Sequence, residues 1–222
     1  RDPNPTAPKA VAEKLKAELK TAGLVGCNWV WYPEGNPAAA APVATRYFRQ
    51  TIKIPSDRKI KTARFILTAD NAFRLEVNGK LVGSSGDFHR ISSLDIGKQL
   101  HPGLNVLAIA ATNGADAPNP AGLVGRYSIE FEQGAPLVGV IDKTWKTSRE
   151  EAKGWMDAEF DDSKWHAAKE VAKFGDAPWG MVAERPVTLS PLAAADPFRG
   201  RFALPADVDT ANSRVYLEMT DL

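Results

Sequence analysis

The chain has 222 residues, 44% hydrophobic and 25% charged, a balance that supports a buried core in one large domain or two small ones. Its 28 basic and 27 acidic side chains leave a formal charge of +1, without the concentrated basic face that displaces counterions from a nucleic acid. A single cysteine, Cys27, excludes an intrachain disulfide and a cysteine zinc site, and no run of about 18 apolar residues exists to span a membrane.

In chain order, the first predicted element is an amphipathic helix over 8–22, where Val11, Leu15 and Leu19 recur on one face and Gly23 supplies the stop. Cys27 follows among Val25, Gly26, Trp29 and Val30. It reads as a small buried core residue rather than a reactive thiol, because no base lies near it in sequence to lower its pKa. Residues 47–54 then alternate apolar with polar side chains and stop at Pro55, as a strand does. Strands are predicted over 63–69, 73–77 and 80–82, with Asn78-Gly79 as the hairpin turn between the last two. Further short strands follow over 92–96, 105–112, 122–131, 137–142 and 145–147, separated by clusters of turn residues.

Many short strands without intervening helices predict an all-β fold, an antiparallel jelly-roll β-sandwich with an N-terminal amphipathic helix. The tryptophan-rich stretch 154–180 is expected to wrap the sandwich, its aromatics filling the edge between the sheets. Strand-like segments over 198–204 and 214–219 faintly echo 48–67 and read as the start of a second, truncated β domain. The domain reading is therefore a helical extension over 1–26, a sandwich over 27–185, and a linker with a partial domain over 186–222. The opening Arg1, in place of Met, fits a mature exported polypeptide.

Tyr47-Phe48-Arg49, the Ile54-Pro55 stop, Ala63-Arg64, Asn78-Gly79-Lys80, Leu94-Asp95-Ile96 and His101-Pro102-Gly103-Leu104-Asn105-Val106 come in one characteristic order. With Trp155, Phe160-Asp161-Asp162-Ser163 and Trp165, that order resembles galactose-binding-like jelly rolls, as in the N-terminal and accessory domains of bacterial α-L-rhamnosidases and family 2 glycoside hydrolases. The resemblance covers about 29–180 and is more specific for fold than for function. It implies a secreted or periplasmic bacterial protein, an oligo- or polysaccharide ligand, further domains of the same polypeptide as neighbours, and a structural Ca2+ ion held largely by backbone carbonyls. Nothing in the chain resembles the barrel that carries such an enzyme's catalytic carboxylates, so catalysis is expected outside it.

A sugar site needs an aromatic face for a pyranose and amides, carboxylates or guanidinium forks for its hydroxyls. The loops offer Trp31 and Glu34, then Asp70 and Asn71, then Asp87, His89 and Arg90, then Asn113, Asp116 and Asn119, and finally Trp179 in Pro-Trp-Gly. Loops at one end of a sandwich converge, so these groups are candidates for one pocket; the same residue types also serve turns and core edges. Asp161 and Asp162 could ligate calcium, but capping a turn between two packed tryptophans is the favoured reading. The three histidines, His89, His101 and His166, lack metal-ligand spacing, and no nucleophile elbow, P-loop or dinucleotide fingerprint is present. The sequence thus favours a non-catalytic carbohydrate-binding accessory domain. A structural or docking module without sugar affinity comes next, and a stand-alone hydrolase last.

Overall fold

The computed structural model describes residues 23–182; the helix expected over 8–22 and the strands expected over 198–204 and 214–219 lie outside the described residues. The first six strands are β1 (Asn28–Trp31), β2 (Ala44–Ile54), β3 (Ile60–Asp70), β4 (Ala72–Val77), β5 (Lys80–Ser85) and β6 (Ser92–Asp95). The next six are β7 (Gly103–Asn113), β8 (Gly122–Phe131), β9 (Leu137–Val140), β10 (Lys146–Ser148), β11 (His166–Ala167) and β12 (Lys169–Lys173). One helical turn, α1 (Pro37–Ala40), sits between β1 and β2.

The strands form two six-stranded antiparallel sheets. Sheet 1 runs β12-β1-β8-β3-β6, with β9 also paired to β8, and sheet 2 runs β11-β10-β2-β7-β4-β5. Alternation along each strand dictates the packing. Phe65, Leu67 and Ala69 of β3 face Phe48, Leu75, Ile109 and Trp145 in one core between the sheets. Fully burying side chains of this size stabilises the fold by about 1.5–3 kcal/mol each. The predicted Asn78-Gly79 hairpin forms, with both residues at positive φ (52° and 73°) as a two-residue turn of its kind requires. Asn78 also closes that end of the sandwich: its amide donates to Gln99 O and Asn105 Oδ1, and its Oδ1 accepts the Val106 N–H.

The wrap over 154–180 differs from its expectation. Trp155, Phe160 and Trp165 do not fill the edge between the sheets; they pack on Val106, Ala108 and Tyr47, on the outer face of sheet 2. Phe174 and Trp179 instead cover Trp29 and Val124 on the outer face of sheet 1. Both outer faces carry apolar side chains, so both need covering, and the wrap serves each in turn. Arg49, almost fully buried, fastens it: its guanidinium donates to Trp155 O and Asp157 O and pairs with the Asp162 carboxylate. Asp161 Oδ1 accepts the Ser163 N–H at 2.9 Å, so this pair of acids caps and clamps, in line with the reading favoured above. Cys27 is buried, and burial raises its thiol pKa despite the nearby Arg126.

The register gathers the chain crossings at one rim. Asp70 pairs with Gly122, Ala72 with Thr112, Phe73 with Ser85, and Leu67 with Ser92. The turn at 70–72 and the loops 86–91 and 114–121 therefore leave the sheets at the same end.

Candidate functional site

The rim is organised around Asp70, the last residue of β3. Odd positions of this strand enter the core, so Thr68 and Asp70 lie on the outer face of sheet 1. Loop 86–91 folds over that face, and Thr68 Oγ1–H donates to Phe88 O at 3.1 Å. From the other side comes Trp179, whose indole stacks on Trp29 at 4.4 Å and whose Nε1–H donates to Asp70 Oδ2 at 2.8 Å. Gly122, paired with Asp70, makes room for this stack, since a Cβ there would lie 2.8 Å from Trp29 and 2.9 Å from Trp179.

Burial pushes the Asp70 carboxyl above its usual range, partly offset by the Trp179 hydrogen bond and by the His89 charge. The Asp70–Asn71 peptide is cis. Asn71 joins the two sheets, because its backbone N–H donates to Thr112 O and its Oδ1 accepts the Gly114 N–H at 2.7 Å. His89 stands on a tight turn held by Asp87 Oδ1, which accepts the His89 N–H at 3.0 Å and lies 3.2 Å from its Nδ1. The Phe88 and His89 rings lie 3.8 Å apart, leaving the exposed imidazole beside the Asp70 side of the rim. Arg90, also exposed, follows in the same turn.

Of the candidate residues, Asn71, Asp87, His89, Arg90 and Trp179 thus share this region. Asn113 and Asn119 have a supporting part. Asn113 is fully buried, and its amide donates to Ala41 O, Pro42 O and Asn119 O; Asn119 in turn donates to Gly114 O and Ala117 O. Both hold loop 114–121, and the buried Asn113 side chain is closed to a ligand.

Trp31 and Glu34 need correction. Trp31 is fully buried against Phe48, so its faces cannot serve as a sugar platform. Glu34 is clamped by the Arg46 guanidinium through two contacts of 2.9 and 2.8 Å and accepts the Trp31 indole N–H at 3.2 Å. A carboxylate so paired is an internal brace. Sequence reasoning passed over Thr68, Trp29 and Gly114; the available signal was Thr68 standing two positions before Asp70, hence on the same face.

Chemically, the rim offers one partly desolvated carboxylate, an amide, an imidazole and aromatic surface. Among the described residues no three His, Cys, Asp or Glu side chains gather as a metal-holding group, and no helix is long and apolar enough to cross a membrane.

No family model matches the chain. It is 38% identical over 189 residues to an α-L-rhamnosidase of Streptomyces avermitilis, an alignment that takes in 82% of this chain and 17% of that enzyme. The crystal structure of the Streptomyces avermitilis α-L-rhamnosidase complexed with L-rhamnose matches at a TM-score of 0.65 and 37% identity, over 72% of this chain and 16% of the enzyme. The sandwich is thus similar to one domain-sized part of the α-L-rhamnosidases. The rhamnosidase-type sandwich also occurs outside those enzymes: a lectin from Pleurotus ostreatus in complex with GalNAc matches at a TM-score of 0.64 and 34% identity, over 72% of this chain and 47% of the lectin. The chain spans only 17% of the enzyme it aligns with, so the similarity concerns this sandwich and not a whole rhamnosidase.

Proposed function

We propose that the rhamnosidase-type sandwich is a non-catalytic carbohydrate-binding module of a larger, exported glycoside-active protein, and that its ligand sits at the Asp70 rim. The observation that carries this reading is the Asp70 carboxylate, partly desolvated yet oriented by the Trp179 N–H. A buried acceptor held in one direction strengthens a hydrogen bond from a ligand hydroxyl, because the surrounding dielectric is low. Asn71, His89 and the half-buried Trp179 ring add the polar and aromatic partners that a pyranose takes. The sharing of this fold between an enzyme solved with L-rhamnose and a lectin solved with GalNAc supports a sugar as ligand.

Calcium belongs to the same proposal. Asp70 Oδ2 and Asn71 Oδ1 already accept N–H bonds, so Asp70 Oδ1 would be the carboxylate ligand, and carbonyls and waters would have to supply most of a shell of about six to eight oxygens. The ion would supply a Lewis-acidic contact for vicinal hydroxyls.

Calorimetric titration of the purified chain with L-rhamnose and with GalNAc, in calcium and then in chelator, tests both parts. Saturable binding that Asp70→Ala removes, in a variant that still melts cooperatively, is the expected result. Silence toward both sugars and a wider glycan panel would point instead to a docking module. Binding unchanged by chelator would remove calcium from the account.

A further inference from the structure

The outer face of sheet 2 carries a second depression that the rim does not use. Alternation turns Thr45 and Tyr47 of β2, Ala110 and Thr112 of β7, and Arg74 of β4 away from the core. The wrap covers the neighbouring part of this face, where Trp155 sits on Val106 and Ala108. What the described residues leave open is a groove of about 230 Å³ lined by Thr45, Tyr47, Arg74, Ala110, Thr112 and Glu151. Ala110 keeps its floor low, and Ala72, the residue after the rim's Asn71, lines one side.

Its chemistry is that of a polyol site. The Thr45 and Thr112 hydroxyls lie 2.8 Å apart, and each keeps acceptor capacity after that bond. Arg74 bridges two acids, with Nε 3.0 Å from Glu76 and Nη2 3.5 Å from Glu151. The Glu76 side chain is nine-tenths buried, and its Oε2 has no hydrogen-bond partner among the described residues. This oxygen is sealed behind Arg74 and does not line the groove, so the groups that face an occupant are the two threonine hydroxyls, Arg74 and Glu151. The Tyr47 ring meets Trp155 edge-on at 5.4 Å and gives the groove an aromatic wall.

Size and charge narrow the occupant. The volume lies below the ~300–1,000 Å³ of sites for drug-sized ligands, so one ring fits and an extended chain does not. Arg74, Glu76 and Glu151 together carry an excess of one negative charge, which disfavours an acidic sugar.

We propose that this groove is a second saccharide subsite, separate from the rim, that takes one neutral pyranose ring. The inference extends the sugar-binding reading to another face, and the two can fail independently.

Amide and indole NMR spectra of the folded chain, titrated with L-rhamnose and with GalNAc, distinguish them. The expected result is two sets of saturable shifts: one at Trp179 Nε1–H and Asn71, the other at Tyr47, Arg74 and Thr112. Ala110→Leu, which fills the groove from its floor, should weaken the second set about tenfold or more and leave the first intact. Glu151→Ala, at a half-exposed side chain, gives a second variant should Ala110→Leu melt early. Rim shifts without groove shifts, or groove shifts that survive both variants, would overturn the subsite. Groove shifts without rim shifts would uphold it and sink the rim reading. No shifts anywhere would overturn both.

Discussion

Gly122→Ala tests whether packing beneath the rim sets the geometry of Asp70. The added Cβ would stand 2.8 Å from Trp29 Cε3 and 2.9 and 3.0 Å from Trp179 Cζ2 and Cη2, closer than carbons tolerate. Trp29 is fully buried in the sheet face, whereas Trp179 is held by a loop and is half-buried, so Trp179 moves. Two contacts are then lost. The stack at 4.4 Å contributes about 0.5–1.5 kcal/mol beyond area. The hydrogen bond to a charged acceptor contributes about 1.5–3 kcal/mol, part of which water restores. The net loss should be about 1–3 kcal/mol, the usual range for overpacking. Urea denaturation followed by tryptophan fluorescence reads the stability, and L-rhamnose titration reads the site. A variant with unchanged midpoint, emission and sugar affinity would refute the coupling of Gly122, Trp179 and Asp70.

Arg49→Met should release the wrap at Trp155, Asp157 and Asp162, costing about 3 kcal/mol in chemical denaturation and opening 150–165 to limited proteolysis. Asp70 should cost stability as pH rises. Its folded-state pKa lies above the ordinary 3.8, so the folded state holds this proton more tightly than the unfolded chain. Stability from this group is fully present below 3.8 and is lost as pH climbs through the raised value. Asp70→Asn should accordingly flatten that slope in melting curves recorded from pH 3 to pH 7 while abolishing sugar binding; a slope equal to wild type would contradict it. Cys27, buried with its thiol pKa raised, should resist an aromatic disulfide reagent in the native protein and react once urea unfolds it.

The strands of both sheets were largely legible in the sequence, because each central strand has one face in the core and one outside it. That geometry prints period-two alternation in 47–54 and 63–69, and Asn78-Gly79 fixes the hairpin register. β1 escaped notice for the opposite reason. Trp29 lies in the outer cluster while Val30 and Trp31 lie in the central core, across a register shift, so the run shows no alternation. β11 and β12 are short segments pairing at sheet edges, and nothing local marks them. At the rim, Asn71, His89 and Trp179 were readable as loop-borne polar and aromatic groups. What was not readable is which tryptophan remains accessible: Trp31 and Trp179 both stand near Pro and Gly, and only the tertiary fold buries one of them. Glu34 was misplaced likewise, since its partner Arg46 lies twelve residues on, in β2.

The central claim is that the Asp70 rim binds a sugar. The most direct measurement is the indole Nε1–H resonance of Trp179 followed during titration with L-rhamnose in calcium, for the native chain and for Asp70→Ala. A saturable shift in the native chain that is absent from the folded variant is the predicted result. A Trp179 signal indifferent to L-rhamnose, GalNAc and a wider sugar panel would contradict it.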